Sequence, residues 1–404
     1  MNAIYLDNHA TTRVDPRVVQ AMLPWFDTHY ANPGSSTHEP GRQAKEAIDD
    51  ALIGIADFFG AQADELIVTS GATESNNLAA FGICLHPRQK RRKIVSVVSE
   101  HQAMLGPLQK LQKLGFEVRL LPVQSHQDSV PGQIDLTRIA EEIDADTALV
   151  SVMLANNEIG VLQPVREIAA ICTQYEVPLH TDATQGVGRI PVDLSELGVD
   201  LLSYSAHKVY GPKGIGGLLV RGANARVKLA PQIVGGGQQS NLRSGTLASS
   251  SIIGMRMALD IAKQTRASES IDHWKWRDRL WQLLANEIAG LSLNGPGWGS
   301  EPCQDENGRL SGEQRLTGNL NVCFPKVDGQ SLMLEARGVA VSSGSACTSA
   351  HPEPSHVLRA IGRSEDEARA SLRFGIGRFN SESEIEQAAE QLIHAYRKLA
   401  AFVA

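Results

Sequence analysis

Long apolar runs are missing from this sequence. Nowhere do about 18 uninterrupted apolar residues occur, which excludes a membrane-spanning helix. A strong excess of one charge is missing too. The net charge of −7 comes without a basic stripe, so no footprint for a nucleic-acid backbone exists. The short run from Arg88 to Lys93 precedes an apolar strand and reads as a solvated helix end. Cysteine is sparse: five residues, at 84, 172, 303, 323 and 347, odd in number and without a Cys-x-x-Cys pair. This is neither a disulfide framework nor a zinc site, and a reducing cytoplasm is the expected setting. The opening MNAIYLDNHATT has no cationic segment followed by an apolar one, so no signal peptide is expected. Aromatics make up only 5% of the chain, and Trp274 and Trp276, with Leu280 and Leu284, read as core. The phosphate-loop pattern G-x-x-x-x-G-K-[ST] does not occur, which disfavours a nucleotide triphosphatase. No internal repeat is found.

What is present fits an ordinary globule: 404 residues, 42% hydrophobic and 21% charged, long enough that two domains are the prior. Apolar strands alternate with amphipathic helical segments, which implies a largely parallel sheet. Glu65–Thr69 runs into Ser70-Gly71-Ala72-Thr73-Glu74 and a helix through Ile83. A glycine turn feeding a helix N-terminus offers free N–H groups to a phosphate, although most such turns hold nothing. Four further strands each end on polar residues. Ile94–Val98 leads to His101, Ala148–Leu154 to Asn156-Asn157-Glu158, Val177–His180 to Asp182 and Gln185, and Leu201–Tyr204 to His207-Lys208. Ligands of open parallel sheets bind beyond the carboxyl ends of the strands, where all four groups fall. The helices expected between and after them include Glu39–Gly60, Met104–Leu114, Arg166–Tyr175, Leu247–Arg266 and Ile271–Ile288. A terminal helix over Ser383–Phe402 would be capped by Ser383 and Glu386.

Lys208 follows a strand that reads as buried on both faces, and desolvation makes a neutral lysine amine nucleophilic toward carbonyls. Ser203, Ser205 and His207 around it could donate to a phosphate. Together they suggest pyridoxal 5′-phosphate (PLP) held through Lys208; on this segment alone, a surface lysine in a tight turn is an equal reading. A carboxylate near the cofactor's pyridine nitrogen keeps that nitrogen protonated, and Asp182 suits this part. His101 could stack on the ring and move protons. Gln185 could hydrogen-bond its phenolic oxygen, and Asn157 could contact that oxygen or a substrate. Arg373, inside the apolar strand Ser371–Phe374, needs a partner, either a substrate carboxylate or an internal aspartate. Cys347 lies mid-way in SSGSACTSA (342–350), among small and polar neighbours that suit an accessible, reactive thiol. The stretch 295–318 has no periodicity and reads as a long loop, with Cys303 incidental.

These stretches carry a resemblance. YLDNHATT (5–12), SGATES (70–75), EH (100–101), NNEIG (156–160), DATQ (182–185) and SAHKVYGPKG (205–214) are similar to the motifs of the cysteine desulfurases. So are RSGT (243–246), SSGSACTSA (342–350) and LRFGIGRF (372–379). These are PLP enzymes of the class V aminotransferase type. The serine-rich cysteine stretch resembles the subgroup with a long cysteine loop. The resemblance implies an α/β fold of PLP type I, aspartate aminotransferase-like, with a mostly parallel central sheet and helices on both faces. It further implies a large domain over 15–260 and a smaller α/β domain over 261–404, joined by residues 1–14 and carrying the loop 342–354. Lys208 would carry PLP, with Ala72, Thr73, Ser205 and His207 at its phosphate. Thr246 would reach the cofactor of a partner subunit in a homodimer. Asn157 and Arg373 would hold the substrate. Cys347, with Lys208 and His101 also catalytic, would take the sulfur as L-cysteine becomes L-alanine. A sulfur-acceptor protein such as an iron–sulfur scaffold would follow. The 295–318 stretch is longer than the family pattern and an extended C-terminal tail is lacking, which leaves the acceptor open. A selenocysteine lyase or an aminotransferase of the same class is the alternative. A non-catalytic sulfur-relay scaffold would have no need of Lys208, Asp182 and Cys347 together.

Overall fold

The computed structural model describes residues 3–222, 227–297, 314–343 and 353–402, and the backbone of the paired two-residue strands Cys303–Gln304 and Leu310–Ser311. Seven strands form the main sheet, in the order Leu66–Thr69, Gly216–Val220, Leu201–Ser205, Leu179–Asp182, Thr147–Ser151, Lys93–Val97, Glu117–Leu121. All neighbours pair in parallel except Gly216–Val220, which is antiparallel to both strands beside it. The α/β expectation of a mostly parallel sheet therefore holds.

Successive strand residues feed two different cores, because side chains alternate across a sheet. Val68, Val95, Val150, Leu202 and Leu219 enter one apolar cluster; Ile67, Ile94, Leu149, Leu201 and Leu218 enter another. Helix Glu39–Phe58 covers the first face through Ile48 and Ile55, and Val165–Gln174 covers it through Ile168. Helices Ala72–Cys84 and Gln102–Lys113 cover the second through Leu78, Met104 and Leu108. Burial on both faces explains why these strands read as continuous apolar runs.

A third apolar cluster is built on the antiparallel strands Ser371–Gly375, Asn319–Cys323 and Ser292–Leu293, with helix Glu382–Ala400 against them. The N-terminal strand Ile4–Tyr5 joins this cluster by pairing with Val339–Ala340. Where two helices were expected, one runs without a break from Ser249 to Glu287. No glycine or proline interrupts residues 263–287, so nothing stops it. Its first half contributes Ile252, Ala258 and Leu259 to the main core, and Leu280 and Leu284 sit in the third cluster.

The terminal helix is capped two residues earlier than expected. Ser381 and Glu384 form the reciprocal box, while the carboxylate of Glu386 is taken by Arg279. What the architecture does for function is simple: the carboxyl ends of Leu66–Thr69, Lys93–Val97, Leu179–Asp182 and Leu201–Ser205 emerge at one edge, and the N-terminal segment crosses that edge.

Candidate active site

At that edge lies a cavity of about 1130 Å³, which has Lys208, Asp182, Gln185, His101, Ala72, Thr73, Asn157, Ser205, His207 and Arg373 on its walls. Strands distant in sequence bring these together because each ends at the same level of the sheet.

Lys208 follows strand Leu201–Ser205 through one short 3₁₀ turn, Ala206–Lys208. Its Nζ donates to the carbonyls of His9 (2.5 Å) and Ala10 (2.7 Å). Burial, and then the cations Arg373 and Arg189, push its pKa from 10.5 down to about 7. A lysine so placed is partly neutral at neutral pH, as an amine nucleophile or base must be. The surface-lysine reading is thereby excluded.

Asp182 ends its strand with both carboxylate oxygens oriented. Oδ2 accepts from Asn76 Nδ2 at 2.7 Å, and Oδ1 accepts from the Thr184 backbone at 3.0 Å. Asn76 stands on helix Ala72–Cys84, one turn beyond its first residues, and is fully buried. Sequence reasoning missed it, although a polar residue four positions after Ala72 falls on the same helix face. That helix starts without any side-chain cap, at Gly71 with φ 140°. A Cβ at Gly71 would lie 3.4 Å from Ser205 Oγ, and one at Gly216 would lie 2.8 Å from the Gly71 Cα. The close approach of these two backbones, both needing glycine, leaves an open cradle of N–H groups beside Ser205 and Thr73. His207 flanks it, its Nδ1 3.1 Å from Thr11 Oγ1 and its pKa lowered to about 4, first by burial and then by Lys208. Ser203 does not reach the cradle: it is buried within its strand, with Oγ 2.9 Å from His180 Nε2.

His101 caps helix Gln102–Lys113, with Nδ1 accepting from the Ala103 N–H at 3.1 Å. Its neutral ring therefore carries the proton on Nε2. Burial, the largest influence, lowers its pKa. Next to it Glu100 is fully buried and takes the Met153 N–H at 2.5 Å; burial first, and then the nearby Asp182, raise its pKa well above the ordinary carboxylate value.

Arg373 pairs with Asp7 at 2.9 Å, donates to the Asn157 carbonyl at 3.0 Å and to Ser342 Oγ at 3.2 Å. Its partner in this structure is thus an internal aspartate, yet it also borders the cavity. Cys347 lies outside the described residues. The residues on either side of its stretch are anchored at the cavity: Ser342 pairs with Arg373, Ser355 Oγ donates to Glu158, and His356 Nε2 donates to the Glu100 carbonyl at 2.9 Å. Thr246 is not brought in; it is exposed and borders no part of this chain's cavity.

Comparison with known proteins places this geometry. The family model "Aminotransferase class-V" matches residues 4–388. Cysteine desulfurase IscS of Rickettsia felis is 44% identical over 396 residues, covering 98% of this chain and 92% of that protein. IscS of Anaeromyxobacter dehalogenans is 45% identical over 396 residues, covering 98% and 93%. Among solved structures, a NifS-like protein superposes with TM-score 0.87 at 33% identity, covering 98% of this chain and all of that one. DndA from Streptomyces lividans superposes with TM-score 0.74 at 39% identity, covering 92% and 99%. With a half-buried lysine, an oriented aspartate and an uncapped helix at one strand edge, and with relatives matched along nearly their whole length, the chain belongs to the class-V aminotransferase family and, within it, to the cysteine desulfurases.

Proposed function

We propose that the chain is a PLP-dependent cysteine desulfurase, in which L-cysteine and the Cys347 thiol give L-alanine and a Cys347 persulfide. The observation that carries this reading is a lysine amine with a pKa near 7 in the same cavity as a buried, doubly hydrogen-bonded aspartate. The residues present suit PLP. The cradle at Gly71–Thr73 with Ser205 and His207 would hold the phosphate, Lys208 would hold the aldehyde carbon, and Asp182 would keep the ring nitrogen protonated. When bound, PLP supplies an electron sink for negative charge at the substrate Cα. Arg373 binds the substrate carboxylate, joined by Asn157, and the Lys208 amine removes the Cα proton. His101, with its proton on Nε2, donates at that atom rather than accepting there. The Cys347 thiolate takes the sulfur, and a second thiol, on an acceptor protein such as an iron–sulfur scaffold, removes it.

Two organisational readings accompany this. Residues 15–260 form the PLP-binding unit and 261–404, joined by 1–14, the smaller one; the third cluster draws on 1–14 and 261–404, while Val357, Leu358, Ile361 and Ala368 of the smaller unit pack into the main core. The working form is a homodimer. The apolar strip Val19, Leu23, Phe26 and Tyr30, exposed by 40–78%, supports it, and the exposed Thr246 is free to serve the partner's cavity. Among the described residues, the buried Cys84, Cys172 and Cys323 form no disulfide, in keeping with a reducing cytoplasm.

The test is a mass balance on purified protein supplied with L-cysteine and dithiothreitol. Alanine and sulfide should form in equal amounts, and Cys347→Ala should load PLP but release neither. Alanine that appears only when a keto acid is added would make the protein an aminotransferase instead.

A further inference from the structure

The carboxamide of Gln185 is held on three sides. Its Oε1 lies 2.9 Å from His9 Nδ1 and 3.4 Å from Arg189 Nη1, and its Nε2 donates to the His9 carbonyl at 3.0 Å. A guanidinium can only donate and a carbonyl can only accept, so the two ends of the amide are assigned by their neighbours. It follows that His9 Nδ1 carries a proton, since Oε1 has none to give. The His9 ring is 1% exposed, and burial followed by the cations Arg189, Arg373 and Lys208 keeps its pKa well below the usual value. The ring is therefore neutral, with Nε2 bare. That Nε2 is buried and has no hydrogen-bond partner among the described residues.

An unsatisfied imidazole nitrogen is costly in a protein interior. What the ring does in return is hold one amide. Gln185 Nε2 has a second proton, with no partner among the described residues, and Gln185 borders the cavity. If the amide flipped, Oε1 would face the cavity in its place, while the Nε2 protons would meet two donors, His9 and Arg189. We propose that His9 is a positioning residue that locks the Gln185 amide with its free N–H toward the cavity, as a donor to the phenolic oxygen of bound PLP. This rests on the PLP reading above. A donor at that oxygen favours its anionic form, and so lowers the pH at which the bound cofactor's visible chromophore loses its proton.

Two measurements test this. In cofactor-free protein labelled with ¹⁵N-histidine, with His9 assigned by its disappearance in His9→Asn, the ring should show the Nδ1–H tautomer; an Nε2–H tautomer overturns the proposal. In PLP-loaded protein, visible absorption is titrated against pH for wild type, His9→Asn and His9→Leu. Asparagine keeps a donor near the Nδ1 position and should leave the midpoint near that of wild type. Leucine removes the donor and should raise the midpoint by about 0.5–1 pH unit, as expected for one lost hydrogen bond. An unmoved midpoint in His9→Leu overturns this proposal alone, whereas a wild-type protein that takes up no PLP overturns the cofactor reading and this proposal with it. If His9→Leu fails to fold, the tautomer decides.

Discussion

Replacing Lys208 by methionine should make the cofactor-free protein more stable at low pH than at high pH, relative to wild type. Moving a lysine pKa from 10.5 to about 7 costs the folded, protonated state about 5 kcal/mol. Between those two values the unfolded chain binds more protons at Lys208 than the folded one, so raising the pH through that window favours the folded lysine form. The cost is fully present below about pH 7 and is relieved toward pH 10.5. Methionine has a similar length and no charge, so its advantage should shrink by about 2.5 kcal/mol from about pH 6 to about pH 9. The carbonyls of His9 and Ala10 lose their donor in the variant. That penalty, about 1–3 kcal/mol for each group left unsatisfied, shifts the variant's stability by the same amount at every pH. The slope therefore isolates the charge. Urea unfolding of both proteins, stripped of cofactor, at three pH values gives the comparison. A difference in unfolding free energy that stays constant with pH would refute the claim that Lys208 is held as a destabilised cation.

Two other outcomes follow from the geometry. Asp182→Asn keeps the shape but not the charge that Asn76 and the Thr184 N–H orient. Its alanine-forming kcat should fall by about 10²–10³-fold, the usual size for a preorganised electrostatic contact, with the fold intact by circular dichroism; an unchanged kcat would remove Asp182 from the mechanism. Asp15 is held down to about 2, chiefly by the Arg17 side chain and also by Arg378, against an ordinary 3.8. Its contribution, about 2 kcal/mol, is present above pH 3.8 and lost as the pH falls through about 2. Asp15→Asn should therefore lower stability at neutral pH and flatten the acid limb of the unfolding curve, and an acid limb identical to wild type would count against it.

Much of the architecture was legible in the chain because strands buried on both faces must be apolar throughout. The runs around Ile94, Leu149, Leu201 and Leu218 announced themselves, and the polar residues that follow them marked the strand ends. Sequence and structure part where two local solutions compete. Ser381-x-x-Glu384 and Ser383-x-x-Glu386 are the same cap signal two residues apart, and only the partner Arg279, 107 residues from Glu386, decides between them. The long helix reads as two in the sequence because its first and second halves face different cores, which blurs the periodicity although no residue ends the helix.

For the site, the sequence by itself determined the chemical inventory: Lys208, Asp182, His101, Gln185 and Arg373 stand at strand ends or within strands where their types suit one cofactor and one substrate. Local order could not reveal their states. That Lys208 is half deprotonated near neutrality depends on burial and on Arg373 and Arg189, which come from far along the chain. That His101 carries its proton on Nε2 depends on a backbone N–H two residues on, once the helix has formed. His9 was in plain sight within YLDNHATT, but nothing in that stretch points to Gln185, 176 residues away. Residue type is written in the chain, whereas protonation and orientation are set by long-range neighbours and by the loss of water, and only the tertiary structure supplies both.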